Sequence, residues 1–417
     1  MKKRNILTVV TVVTFLTFLI MPSIAVGKTK ITFLSHVYKP WNDLLTEQAK
    51  RYEQMNPDVE IIYSTVLHAD LHTKIMTSLL AGTGADVMGV YGPWMYELVN
   101  GGWLAPAPDW VEKDIAENFV KVAGIGATYG EKIYGYVQHV GIPTFIANVE
   151  MFEAAGINFP ETYEDLLSIN DKLKKEEGGI LQQVGIAMDS SKSGSWNVFS
   201  WGTILKACGA DILSPDRIPA FDNEAGRKAT EIYSQVAYPE FKELEIPTAF
   251  CLNRVAVMFN GPWMRGFINE KAPNLKYKAL PPMKGPAKQV TSMYAWFWVV
   301  NSASRVQEEA WKFIQFLSAP EQYYEMTERI GLVPFQKRLI EDPRIQEDQW
   351  ILAFSQALEM AEYYYALNVP SWESIDNAIG IQLERLVGRE ITVDEFLSQT
   401  KAHIEEIVRD ITAREKK

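Results

Sequence analysis

Two histidines four residues apart, His68 and His72, are the first residues whose spacing suggests chemistry, because one helical turn can aim both imidazoles at a metal. Residue 69 is alanine, so the H-E-x-x-H pattern fails, and no third ligand stands nearby. The pair is expected at an exposed helix start. Gly124, Gly126 and Gly130 imitate a dinucleotide fingerprint, but the spacing is wrong and they precede a hairpin. Gly82-Thr83-Gly84 lacks the lysine of a phosphate loop, and both glycine groups read as turns. No G-x-S-x-G is present, which removes the simplest esterase. A glycosidase needs two carboxylates facing each other across a cleft. The 52 Asp and Glu leave that open, and no local motif marks a pair. The residues point to a protein that is not an enzyme and carries no cofactor or metal, with a secreted glycoside hydrolase as the alternative.

The aromatic residues are the stronger lead. The chain has 12 Trp, 18 Tyr and 19 Phe, and flat rings suit sugar faces as well as cores. Trp94, Trp196, Trp201, Trp263, Tyr294, Trp296 and Trp372 fall in turns or near the ends of expected strands and helices. The most informative stretch is Arg254–Phe267, R-V-A-V-M-F-N-G-P-W-M-R-G-F. Every residue from Val255 to Phe259 is apolar, as in a strand buried on both faces. Asn260-Gly261-Pro262 stops the strand. Trp263 then stands beyond its carboxyl end, where open α/β sheets bind ligands. On the residues alone it stacks on a ligand or fills the rim of a core. Arg265 reads as a solvated helix residue.

The elements that position these residues belong to a chain of 417 residues, too long for one ordinary core, so two domains are expected. A hydrophobic share of 47% and a charged share of 22% are those of a globular protein. The net charge of -11 argues against nucleic acid and anionic membranes as partners. Met1–Gly27 reads as a signal peptide, with Lys2-Lys3-Arg4, an apolar run over Ile6–Ile20, and cleavage near Ala25 or Gly27. An uncleaved anchor is the rival. No cysteine follows the apolar run, so lipid attachment there is excluded, and the mature chain is expected in a periplasm. Cys208 and Cys251 are the only cysteines and read as buried free thiols, although a disulfide is permitted outside the cytoplasm.

Strands are expected at Lys30–Ser35, Val59–Val66 and Ala85–Tyr91, with helices at Pro40–Asn56 and Leu71–Ala81 between them. That alternation implies a parallel sheet flanked by helices. A short helix over Pro93–Asn100, a hairpin over Tyr129–Ile142, a helix starting at Thr162 and a strand over Tyr277–Pro282 follow. Thr162 is the N-cap, with Asp165 in place of the usual Glu or Gln of a capping box. Tyr294–Asn301 is a strongly apolar strand, Glu308–Ser318 an amphipathic helix, and Asn377–Ile411 largely helical.

N-G-P-W after a buried strand resembles the sugar-binding proteins of ABC importers, extracellular solute-binding family 1, the group that includes maltose-binding protein. The path K-I-T-F, helix, N-P-D-V-E-I, helix, G-T-G-A-D-V is similar to the family's opening. F-P-E-T-Y-E-D-L and Gly331-Leu332-Val333-Pro334 also match, so the resemblance spans most of the mature chain. It implies a two-lobed α/β fold of the type II periplasmic binding proteins, each lobe a mostly parallel sheet flanked by helices. Lobe one would be residues 28–138 plus 293–339, and lobe two residues 139–292 plus 340–417. It implies a monomer that holds a sugar, in particular an oligosaccharide, between its lobes and docks on the transmembrane subunits of an ABC permease. Within that fold a glycerol phosphate or a polyamine is the other ligand class.

By the same resemblance Trp263 stacks on the sugar, Trp201 stands near the site before a helix, and Trp372 lies in an N-V-P loop bordering it. Ser35 and His36 at the end of the first strand, and Tyr91 and Trp94 after the third, take ligand positions. Pro93 replaces an Asp of the maltose binder, and Gly141 a ligating Glu, which points to a differently shaped site. Gln138 and His139 lie near the crossover. His36, Gln138 and Asp189 would orient hydroxyls, with Trp196, Tyr294 and Trp296 as further aromatic contacts.

Overall fold

The computed structural model describes residues 27–178, 180–190, 196–237 and 245–415. The signal-peptide reading of Met1–Gly27 lies outside the described residues except at its last position. Among the described residues no helix is long and apolar enough to cross a membrane.

The strands are β1 (Thr29–His36), β2 (Val59–Val66), β3 (Val87–Tyr91), β4 (Thr128–Tyr129), β5 (Lys132–Ile133), β6 (Tyr136–Gly141) and β7 (Thr144–Asn148). They continue with β8 (Lys175–Glu177), β9 (Ile180–Ala187), β10 (Val255–Asn260), β11 (Tyr277–Ala279), β12 (Thr291–Val300) and β13 (Ala361–Tyr363). One sheet runs β13-β12-β3-β1-β2, with β6 also on β12, and a second runs β11-β7-β10-β9-β8. Each carries helices, giving a two-lobed α/β fold.

In the first sheet β1 lies parallel to β2 and β3, the expected β-α-β-α-β path. The chain reverses where it changes sheet, so β12 enters antiparallel to β3 and β6. In the second sheet only β10 and β9 pair in parallel, and the other pairings are antiparallel. The sheets are therefore more mixed than the sequence expectation. Strands that return directly from the other sheet lack the helical crossover that parallel pairing requires.

Burial follows position in the sheet. All but one residue of the central β12, T-S-M-Y-A-W-F-W-V-V, is buried, and β10 is likewise an apolar run. Edge strand β2 is only half-buried, with Ile62 exposed. The helix Lys39–Met55 presents Trp41, Leu44, Leu45, Gln48, Ala49 and Tyr52 to the core at helical spacing. The helix Tyr163–Leu173 begins with the expected capping box, Thr162 and Asp165 each accepting the other's backbone N–H at 3.0 Å.

Three details differ from the sequence reading. The hairpin over Tyr129–Ile142 shrinks to β4 and β5, and β6 joins the first sheet because its six residues are all buried. The expected strand over Tyr277–Pro282 keeps only β11 before its prolines. The helix Trp196–Cys208 starts five residues before Trp201, which is therefore in mid-helix. Cys208 and Cys251 are both free, the first buried and the second half-buried. Burial pushes the Cys208 thiol up to about 11.

Candidate functional site

A cavity of about 310 Å³ lies between the two sheets. Its first wall is built at the carboxyl ends of β1 and β3 and on β6 and β12, which place His36, Tyr91, His139, Tyr294 and Trp296. Tyr38 and Trp41 come from the start of the helix after β1, and His68 from the helix after β2. The opposite wall carries Trp196 and Phe199 on the helix Trp196–Cys208, and Trp263 in the turn after β10. Ile330, Leu332 and Tyr364 also line the cavity. Among these fourteen residues there is no carboxylate, lysine, arginine or side-chain amide.

The rings form one connected set. Trp296 is the hub, with centroids 4.5 Å from His36, 5.2 Å from Tyr91, 5.6 Å from His68 and 6.0 Å from a parallel His139. Across the cavity Trp196 is 5.9 Å from Trp263, and Phe199 is 5.8 Å from Tyr294 and 5.0 Å from Tyr364. The Tyr91 and Tyr364 hydroxyls meet at 3.1 Å, and Tyr364 donates to Asp376 at 3.0 Å. These phenols are tied down by each other and by a carboxylate behind the wall.

Two glycines make room for the rings. A Cβ on Gly261 would lie 2.1 Å from the Trp263 ring, so the N-G-P-W turn can fold its tryptophan back only over glycine. A Cβ on Gly141 would lie 2.0 Å from Tyr294. The space beside this backbone is filled by an aromatic face.

The imidazoles are kept neutral. Burial, and then the neighbouring His68, pull His36 down to about 4. Burial, and then His36, pull His139 down to about 3. Burial also lowers His68. The Nδ1 atoms of His36 and His139 are buried without a partner among the described residues.

The structure brings His36, Tyr91, His139, Trp196, Trp263, Tyr294 and Trp296 together at the cavity. Trp94 stands behind it, buried against Tyr91, Trp296 and His68. Ser35 and Gln138 are buried beneath the same wall. A Cβ on Gly89 would sit 3.5 Å from Ser35 Oγ and 3.3 Å from Gln138 Nε2. Gln138 occupies a bulge where the β6–β12 register shifts, and its amide has no partner among the described residues. Trp201 is not at the cavity. It is fully buried between Phe221 and Phe396 and donates to Thr230 Oγ1 at 3.1 Å. Trp372 is buried against Tyr364 and Tyr365, one layer behind the wall. Asp189 also stays off the cavity, half-buried at the end of β9, its backbone oxygen accepting from Tyr233 at 3.3 Å.

Sequence reasoning missed Tyr38, Trp41, His68, Phe199, Ile330, Leu332 and Tyr364. His68 follows β2 as His36 ends β1, so the general rule that ligands bind beyond the carboxyl ends of strands, applied to β2, would have found it. Trp41 lies on its helix's buried face. Its first-turn position lets the ring reach both Trp298, at 6.1 Å, and His139, at 5.5 Å. The helix start His68–Asp70 is exposed as expected, but His72, one turn in, is half-buried. Its Nε2 lies 3.2 Å from Glu97 and its Nδ1 3.3 Å from Glu373, on the helix Trp372–Val387. Burial alone would lower its pKa, but the two carboxylates outweigh that and raise it. Nor is Arg265 solvated, for it pairs with Asp348, while Trp350 Nε1 donates to Pro262 at 3.0 Å.

Residues 47–352 match the family described as bacterial extracellular solute-binding protein. A putative binding protein of Brucella abortus is 23% identical over 362 residues, which cover 84% of this chain and 85% of that one. The maltotriose-binding protein of Pyrococcus abyssi is 23% identical over 328 residues, 75% of this chain and 68% of that one. The solved structure of the sugar-binding protein MalE from Xanthomonas citri is similar with a TM-score of 0.80 at 18% identity, covering 93% of this chain and all of that one.

Proposed function

The chain belongs to the bacterial extracellular solute-binding proteins, and from that premise we propose that it captures a neutral sugar between its lobes and delivers it to an ABC importer. An oligosaccharide is the favoured ligand. The observation that carries this reading is a cavity walled by aromatic rings and neutral imidazoles, with no charged side chain among the described residues that line it. Aromatic faces stack on the apolar faces of sugar rings, and imidazoles exchange hydrogen bonds with hydroxyls. Relatives named for maltotriose and arabinooligosaccharide binding support the same class.

Members of the family are binding proteins, and in our reading no bond is made or broken here. A glycosidase would need a pair of carboxylates on the cavity wall, a polyamine site at least one, and a phosphate site a cation. We take the lobes as residues 28–138 with 293–339 and 139–292 with 340–417. The limits at 138/139 and 292/293 fall within a few residues of where the strands change sheet, whereas β13, beyond residue 340, pairs with β12 of the first sheet. Closure turns about those crossings. In the same reading the signal peptide is cleaved, the mature chain works as a monomer in the periplasm, and the closed form docks on the permease subunits.

The test is a thermal-shift screen of the mature chain against mono-, di- and oligosaccharides, with polyamines and glycerol phosphates alongside. A ligand at a hundred times its dissociation constant adds about 2.7 kcal/mol to stability. A sugar should raise the melting temperature, and Trp263→Ala should abolish the shift. Stabilisation by charged solutes alone would move the chain to another ligand class, and release of reducing sugar would replace capture by hydrolysis.

A further inference from the structure

We propose that the ligand is longer than the cavity and leaves it through one mouth, where Tyr38 carries the next sugar ring on its exposed face. This rests on the oligosaccharide reading above and adds an outer subsite to it. The cavity of about 310 Å³ is at the small end of the roughly 300–1,000 Å³ usual for small-molecule sites. Rings that it cannot hold must pass out of it. Of the fourteen lining residues only Tyr38 and His68 are exposed. They stand in the turns after β1 and β2, which are joined where the Val37 N–H donates to the Val66 oxygen at 2.8 Å. The open side of the cavity is therefore at these two turns.

Large apolar side chains stand in the open there. Val37, Tyr38 and Leu67 are 44%, 42% and 61% exposed. One exposed apolar residue needs no explanation, but three on two hydrogen-bonded turns at the mouth of a binding cavity form a patch, and such a patch marks a contact. Tyr38 is also held in place. Its N–H donates to Asn42 Oδ1 at 2.8 Å, and the Asn42 amide donates in turn to the His36 oxygen at 3.0 Å and to the Tyr63 hydroxyl at 2.8 Å. Tyr63 is stacked on Phe33 of the core, with centroids 4.7 Å apart. The backbone that carries Tyr38 is thus tied to the first sheet before any ligand arrives, so little ordering is left for the ligand to drive. A phenol has an apolar face for a sugar ring and a hydroxyl that both donates and accepts. Val37 and Leu67 extend the apolar surface beside it, and neither is among the residues that line the cavity itself.

The test is isothermal titration of the mature chain with sugars of increasing ring number from three series, the α-1,4-glucans, the β-1,4-mannans and the α-1,5-arabinans. In the series that binds, affinity is expected to rise about ten-fold at the ring that first reaches Tyr38. Tyr38→Ala is expected to erase that step, weakening the longer sugars about ten-fold more than the shorter ones. Tyr38→Phe keeps the ring face and should keep the step, and Leu67→Ser should shrink it. Both side chains are exposed, and the brace on Tyr38 is made by its backbone, so the variants keep the fold. Affinity that stops rising once the cavity is filled, or a step that survives Tyr38→Ala, overturns the outer subsite, leaves the sugar reading intact and frees the patch for the permease. A chain that binds none of these sugars, nor any in the thermal-shift screen, overturns both.

Discussion

Gly141 has no side chain, and Tyr294 occupies the space one would take. Its ring lies 2.0 Å from where the Cβ would be, closer than any real contact allows. Gly141→Ala must therefore push Tyr294 towards Phe199, 5.8 Å away across the cavity. Overpacking of this kind costs about 1–3 kcal/mol. We expect a modest fall in melting temperature and a loss of about ten-fold in ligand affinity, read together by calorimetry. A stable variant with undiminished affinity would mean that Tyr294 does not touch the ligand. The sequence showed a glycine at this position, but not what fills the space beside it, because Tyr294 is 153 residues further on and arrives only through the pairing of β6 with β12. Trp263 was the easier case, since a single local motif supplies the strand, the turn and the glycine under its ring. His68 and His72 were harder. Their helix start is exposed as the pattern said, but Trp94, Glu97 and Glu373, distant in sequence, reach the two imidazoles.

Elements were legible wherever local rules set them. Apolar runs became β10 and β12, and the amphipathic spacing after β1 became a helix with the expected core face. The clearest local signal was the capping box at Thr162. Thr162→Ala removes one half of that reciprocal pair and should cost about 1 kcal/mol, seen as a lower unfolding midpoint in urea. No change would mean that the helix start is held by packing alone. What the pattern did not give was depth. Trp201 lies in a helix buried on every face from Asn197 to Cys208, so its position near a helix start said nothing about a cleft. Trp372 opens its helix but is covered by Tyr364 and Tyr365, which come from the segment after β13. The bulge that buries Gln138 is likewise a property of two strands together and leaves no mark in either alone.

At the scale of the molecule, a clasp of polar contacts ties segments distant in sequence together. Helix Met95–Asn100 of the first lobe supplies Tyr96 and Glu97. Arg217 donates to Tyr96 at 3.0 Å while pairing with Glu415 at 2.6 Å, and Glu373 faces His72. Glu373 and Glu415 lie on the helices Trp372–Val387 and Val393–Glu415, which pack on the helices Trp196–Cys208 and Glu224–Val236. Both nitrogens of His72 point at carboxylates, so the clasp is complete only when the imidazole is charged. Its pKa is raised in the clasped state, which fixes the sign. Below the free value of about 6.5 the contribution is fully present, and it is lost as pH rises through the raised value. The ligand-free cleft should open more at pH 8.5 than at pH 5.5, measured as a radius of gyration by small-angle scattering. Glu373→Gln should flatten that dependence, and an unchanged profile would remove His72 from the clasp. The aromatic wall has an optical consequence as well. Trp196 and Trp263, 5.9 Å apart on one wall, are near enough for their excited states to couple, and Trp296 is ringed by imidazoles on the other. Hinge motion or an arriving ligand must disturb that coupling, so the protein carries its own chromophore for occupancy, readable in near-ultraviolet circular dichroism without any attached dye.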